Sequence, residues 1–234
     1  MASPVTILPR DGTAYRSESL NGFYYLVSFR GLNLIRRAEA RRLHTPTMAV
    51  IICMLRGVNL GPHNRVKMEE LKALCESLKL REPQTYVQSG NVIFKTDERD
   101  LIKLAKRLEG AIHKKFGFQT DVVLRSTAEL RDVVARNPFA KRRGIEPGKL
   151  LVTFLASDPG EEARVKMRAI KCAPDELWID GRETYIYFPN GMGRPKLSWH
   201  TIPKTLKVSG TGRNWNSVTK MLEMAEKMER PSDV

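Results

Sequence analysis

Cysteine is scarce here, at three residues (Cys53, Cys75 and Cys172) among 234. No C-x-x-C spacing joins them, and Cys53 and Cys75 fall at apolar-periodic positions typical of reduced core thiols. Histidine is nearly as rare. His44, His63, His113 and His200 form neither H-x-x-x-H nor a Cys/His metal spacing, so no metal and no cofactor is expected. There is no G-x-S-x-G around Ser89 or Ser198, no Walker loop and no dinucleotide fingerprint, so no standard catalytic or nucleotide-binding motif is present. Long apolar runs are missing too. Phe23 to Phe29 is too short to cross a bilayer, and no membrane partner is expected.

Acidic residues are also in deficit. Lys plus Arg is 40 against 26 Asp plus Glu, for a formal charge of +14 and a pI near 9.9, which favours an anionic partner: nucleic acid, a phosphorylated metabolite or an acidic protein. Hydrophobic residues at 41% suffice for one full core or two small ones. Residues 1–47 stand apart, with seven Arg, no Lys and three acids. Such composition marks transit peptides, but the secretory layout is absent. The reading adopted is an N-terminal extension, not part of the fold, with Met48 opening the domain.

From Met48 the elements follow in order. Ala49 to Leu55 is a continuous apolar run of strand length, stopped by Arg56-Gly57. Met68, Leu71, Leu74, Cys75 and Leu78 repeat at helical spacing. Thr85-Tyr-Val-Gln-Ser-Gly-Asn-Val-Ile-Phe94 reads as a β-hairpin turning at Ser89-Gly90, set off from the helix by Pro83. Asp97 offers an N-cap to a helix through Leu101, Leu104, Leu108 and Ile112 that ends at Gly117. Thr120 to Arg125 is a strand, and Ser126-Thr-Ala-Glu129 matches a capping box. The order β-α-β-β-α-β plus one helix predicts a ferredoxin-like unit over 48–140.

The second half, 148–229, repeats that order. Its strands are Leu150 to Ala156, Leu177 to Asp180, Thr184 to Phe188 and a short Val208 to Thr211. One helix begins at Pro159, one at Ser198 with a break at Pro203, and one at Asn214. The fold class expected is therefore α+β, with tandem ferredoxin-like subdomains, extra helices and an internal duplication.

Leu55-Arg-Gly-Val-Asn-Leu-Gly61, Lys67-Met68, the hairpin block Thr85 to Phe94, Asn137-Pro-Phe139, and Gly212-Arg-Asn-Trp-Asn216 with Val218-Thr-Lys220 resemble the signature blocks of the domain of unknown function 1697 family. The resemblance covers about Met48 to Met228. It implies a bacterial-type cytoplasmic protein with tandem ferredoxin-like subdomains and brings no activity. Where relatives tend to show Gly-Arg-Ser-Lys this chain has Gly193-Arg-Pro-Lys196, and Pro195 lacks both a hydroxyl and a backbone donor.

Topology then gathers the polar loops. The loop after strand one and the turn between strands two and three belong at one end, so Arg56, Asn59, Gln88, Ser89 and Asn91 should converge, either as a site for an anion or nucleobase edge or as braces of two tight turns. In the second half, Gly191-Met-Gly-Arg-Pro-Lys196 and Gly210-Thr-Gly-Arg-Asn-Trp-Asn216 share one end and feed helix N-termini, an arrangement suited to phosphate or carboxylate. Joined, the loops define one candidate site of Arg56, Asn59, Gln88, Ser89, Asn91, Lys196, Arg213 and Asn214, with no catalytic residue assigned. The function expected is binding of a phosphate-bearing or nucleotide-like ligand, or of nucleic acid if Tyr185 and Tyr187 lie on a bare sheet face. An enzyme acting on a small phosphorylated or nucleotide-like substrate and a basic protein-interaction module are the alternatives.

Overall fold

The computed structural model describes residues 6–7, 15–20, 23–28, 48–198 and 200–230. The chain divides into two units, residues 1–47 and 48–234. In the first, β1 (Thr6–Ile7), β2 (Tyr15–Leu20) and β3 (Phe23–Ser28) make an antiparallel sheet in that order. The rest of the expected extension, His44 included, lies outside the described residues.

The second unit is mixed α+β. Its first half runs β4 (Ala49–Leu55), α1 (Met68–Ser77), β5 (Arg81–Tyr86), β6 (Asn91–Thr96), α2 (Leu101–Phe116), β7 (Val122–Ser126) and α3 (Thr127–Ala135). After a 3-10 turn at Pro147–Lys149 come β8 (Leu150–Leu155), α4 (Glu161–Arg168), β9 (Glu176–Asp180), β10 (Glu183–Tyr187), α5 (Thr201–Leu206), β11 (Gly210–Asn214) and α6 (Trp215–Glu229). Two four-stranded sheets result, ordered β5-β6-β4-β7 and β9-β10-β8-β11, every neighbour antiparallel. No helix among the described residues is long and apolar enough to cross a membrane.

β4 is apolar throughout because both its faces are covered. Ile51, Cys53 and Leu55 pack with Leu71, Leu104 and Ile112 of α1 and α2. Val50, Ile52 and Met54, one residue out of phase, join a core shared with α3, α6 and the inner face of the second sheet, where Val152, Phe154, Tyr185 and Tyr187 lie. The outer face of that sheet, with Ile179, Ile186 and Phe188, packs on Met167 of α4 and on Ile202 and Leu206 of α5. The order of layers is thus helices, sheet, shared core, sheet, helices.

Several boundaries differ from expectation. The hairpin link is Val87–Gly90 rather than a two-residue turn, and β5 starts at Arg81, so Pro83 lies inside a strand. That strand is the sheet edge, and its register is irregular between Arg81 and Gln84, the setting in which a missing N–H is tolerated. Asp100, not Asp97, caps α2, its Oδ1 accepting from the amides of Ile102 and Lys103 at 3.0 Å. The capping box at Ser126 and Glu129 forms as read. α5 begins at Thr201 rather than Ser198, which puts Pro203 in the first turn, where no intrahelical N–H bond is lost.

Met48 to Arg230 holds both complete four-stranded sheets, so a chain beginning at Met48 is expected to melt within about 3 °C of the full chain, since a lost kcal/mol would shift a domain of this size by about 2–4 °C. Calorimetry of the two chains checks this. All three cysteines are free and buried. Burial raises each thiol, that of Cys75 to about 12, and so keeps the reactive thiolate scarce. A disulfide-exchange reagent at pH 8 should therefore titrate three thiols promptly in denaturant and react far more slowly with the native protein.

Candidate functional site

β11 reads Gly-Thr-Gly-Arg-Asn and has no apolar alternation, yet it pairs along β8 from Gly210 to Asn214. Its period of two turns Thr211 and Arg213 inward, where both are buried. Arg213 Nε donates to Asn91 Oδ1. One Nη donates to Thr211 Oγ1 at 2.6 Å and to the Gly212 carbonyl at 2.8 Å, the other to the carbonyls of Leu55 at 2.8 Å and Ser89 at 3.0 Å. None of these partners is a carboxylate, and burial pushes the guanidinium down to about 10, still charged at neutral pH. Thr211 Oγ1 also donates to the Leu55 carbonyl, at 3.1 Å.

The loop after β4 and the hairpin turn do meet. Asn59, in the left-handed region, donates through Nδ2 to the carbonyls of Val66 (2.9 Å) and Gln88 (2.8 Å), and its Oδ1 accepts from the Val66 amide at 2.9 Å. Asn91 Nδ2 donates to the Tyr86 carbonyl and to Ser89 Oγ. The Leu55 amide donates to the Gly90 carbonyl. At Gly90 φ is +73°, and a Cβ there would sit 2.5 Å from Val58 Cγ2, so only glycine fits.

Of the eight residues expected to form one site, Arg213, Asn91 and Ser89 are in direct contact, with Asn59 and the Gln88 backbone beside them. These groups satisfy one another. The Gln88 side chain is exposed. Asn214 caps α6 through the Asn216 amide and donates to the Gly148 carbonyl. Lys196 joins none of them among the described residues. Its amide and that of Leu197 donate at 2.6 and 2.8 Å to Oδ2 of Asp175, a buried carboxylate. The loop expected to receive an external anion thus holds an internal one. The segment from Gly210 is likewise strand running straight into helix, so the expected phosphate loop is absent there. Tyr185 and Tyr187 are buried in the shared core, their hydroxyls donating to the carbonyls of Val133 and Gly144. They offer no platform for a base.

Arg56, next to the anchored Leu55, points the other way. It lines a cleft of about 680 Å³ between the end of β4, the polar face of α2 and the segment entering β7. Asn64, Lys106, Glu109, His113 and Asp121 line it too. Leu104, Leu108 and Ile112 bury the opposite face of α2, so Lys106, Glu109 and His113 share the cleft side by helical spacing. That spacing was the available signal in the sequence for Lys106 and His113.

Each carboxylate has one oxygen engaged. Asp121 Oδ2 accepts from Arg56 Nη1 at 2.9 Å in a half-exposed pair, and Glu109 Oε1 accepts from the Val122 amide at 2.9 Å. The Arg56 amide donates to the Asp121 carbonyl, and its carbonyl accepts from Thr120 Oγ1. The side chains of Lys106 and His113 have no hydrogen bond or ion pair among the described residues. The cleft therefore presents donors without acceptors beside carboxylates that each hold one partner already. No group of three or more His, Cys, Asp or Glu among the described residues could hold a metal ion.

The family model described as "Protein of unknown function (DUF1697)" matches residues 48–185. Among solved structures, that of the conserved bacterial protein SP0830 from Streptococcus pneumoniae is similar at 21% identity, covering 76% of this chain and 99% of that one with a TM-score of 0.57. At that identity the likeness carries the fold alone. No curated protein matches the chain.

The buried network sets the expected behaviour of its variants. Arg213→Lys keeps a charge but loses the planar fork that serves five oxygens, and is expected to cost about 2–4 kcal/mol in urea unfolding. Gly90→Ala should cost about 2 kcal/mol or more, from the positive φ and the contact with Val58 together. A loss below about 0.5 kcal/mol in either would show that the junction is not held as described.

Proposed function

Since the chain belongs to the family described as "Protein of unknown function (DUF1697)", membership brings no activity with it, and we propose from the geometry that the protein binds a small phosphate-bearing or otherwise anionic ligand in the cleft beside Arg56. The observation that carries the reading is the imbalance of engagement. Lys106 and His113 have donors to spare, whereas Glu109 and Asp121 each already have one oxygen bonded, to Val122 and Arg56. An incoming anion would take donors from Lys106, His113 and the half-exposed Arg56, and charge-assisted bonds of this kind contribute about 1.5–3 kcal/mol each. Open water at the cleft mouth reduces that range.

In this reading Arg213, Asn91, Ser89 and Asn59 hold the frame from which Arg56 is presented, and Lys196 and Asn214 have structural roles of their own. We further take residues 48–140 and 148–229 as two ferredoxin-like subdomains arising by duplication, and residues 1–47 as an extension to them. The support is that each sheet sets its first strand between its third and fourth, with its second at the edge.

The test is titration calorimetry with inorganic phosphate at low ionic strength. Arg56→Ala should weaken binding about tenfold, both by losing a donor and by leaving Asp121 uncompensated, and Lys106→Ala should weaken it by a comparable factor. Asp121→Asn should strengthen it about two- to fivefold, because it removes a negative charge and frees Arg56. If phosphate does not bind, or if Asp121→Asn weakens binding, the anion reading is wrong.

A further inference from the structure

Arg56 lines a second cavity besides the polar cleft. This pocket, of about 190 Å³, lies over the outer face of β8 and β11, between Leu151, Thr153, Ile202, Val208, Gly210 and Gly212. Arg56 is the one charged residue among the described residues that line it. The two cavities differ in chemistry and share a single residue, Arg56.

β11 explains why the pocket is open. Thr211 and Arg213 face inward, so Gly210 and Gly212 form the outward face of the strand. Neither glycine has a left-handed backbone, so conformation does not demand them. At Gly210 a Cβ would come within 2.8 Å of the Phe154 carbonyl, and close backbone approach accounts for the residue. At Gly212 a Cβ would meet only the Leu151 side chain, at 3.3 Å. A glycine in a strand interior weakens the strand, and here the Leu151 side chain lies where a Cβ would crowd it, so Gly212 and Leu151 together line the pocket.

We infer that the ligand is amphipathic, with its anionic head at Arg56 and a compact apolar group in the pocket floored by Gly210 and Gly212. This rests on the anion-binding reading of the cleft and narrows its ligand class to organic phosphates or carboxylates bearing a ring or a short branched chain. The volume suits such a group, since an apolar protein cavity of about 150 Å³ accepts benzene. The occupant follows from charge complementarity: an apolar guest with no anion gains nothing from Arg56, and a bare anion leaves the pocket unfilled. A ligand covering both cavities would bury the half-exposed Arg56 head group, strengthening its bond to the anion.

Titration calorimetry with phenyl phosphate and inorganic phosphate on the full chain tests this. Phenyl phosphate should bind at least tenfold tighter than inorganic phosphate. Thr153→Leu and Gly212→Val, each of which fills the pocket without touching the cleft, should cut that advantage to twofold or less while leaving inorganic phosphate binding unchanged. Thr153→Leu carries the test if Gly212→Val does not fold. Equal affinities for the two probes, or an advantage that survives Thr153→Leu, overturns the amphipathic reading and leaves the anion site standing. Failure of both probes to bind overturns both.

Discussion

A guanidinium buried at the meeting of two sheets, with no carboxylate beside it, is the constraint around which the 48–230 structure is arranged. Removing such a charge from water costs several kcal/mol, and the structure offsets this by giving Arg213 five oxygens from β4, the hairpin turn, Asn91 and its own strand. Carbonyl oxygens at the end of β4 and in the turn have no ladder partner on that side, so one planar donor satisfies several groups that would otherwise be stranded. The requirement is geometric: the Leu55 carbonyl, the Ser89 carbonyl and the Asn91 amide must all lie within reach of one fork. That fixes the hairpin turn relative to the end of β4. It also fixes where Arg56 emerges.

A second buried pair holds the other side of the junction. Arg125 of β7 donates through Nε and Nη2 to Glu183 Oε1, at 3.0 and 2.8 Å, and also to the carbonyls of Leu124 and Leu155. Like Arg213, it ties a strand of the first sheet to strands of the second, here β8 and β10. Between these polar clamps lies the apolar layer of Val50, Ile52, Met54, Val152 and Phe154. Apolar burial supplies the driving force but fixes register loosely, whereas hydrogen-bonded charges tolerate few arrangements. The cleft and the pocket thus stand on a platform with little freedom to shift.

Period and capping made most of the fold legible. The run at Ala49 to Leu55, the helical spacings of α1, α2 and α6, the box at Ser126 and the cap at Asn214 each obey a local rule that tertiary packing did not overturn. β11 runs Gly210–Asn214 rather than the expected Val208 to Thr211 because Gly-Thr-Gly-Arg-Asn buries a threonine and an arginine, and a buried face made of polar side chains leaves no hydrophobic period. The convergence of Asn59 with the hairpin turn was legible from topology, since strand direction alone sets which loops share an end. Which loop would already be filled was not. Asp175 lies 21 residues from the Lys196 amide that it serves, and no local pattern links them.

The charge of the chain illustrates the same separation between what composition states and what a site requires. Many Lys and Arg side chains lie in pairs along the surface: Arg131 with Glu226, Arg136 with Asp132 and Asp180, Arg164 with Asp158 and Glu161. Such pairs hold elements together weakly, and the net charge of +14 remains beyond them. The cleft beside Arg56 contains as many carboxylates as Lys and Arg side chains; it is not a basic groove of the kind that tracks a nucleic-acid backbone. The anion preference proposed for it rests on which side chains have no partner, an effect confined to hydrogen-bonding range. On that proposal the site would select by contact and shape, and so would favour a small head group seated against Arg56 over a long polyanion held by field.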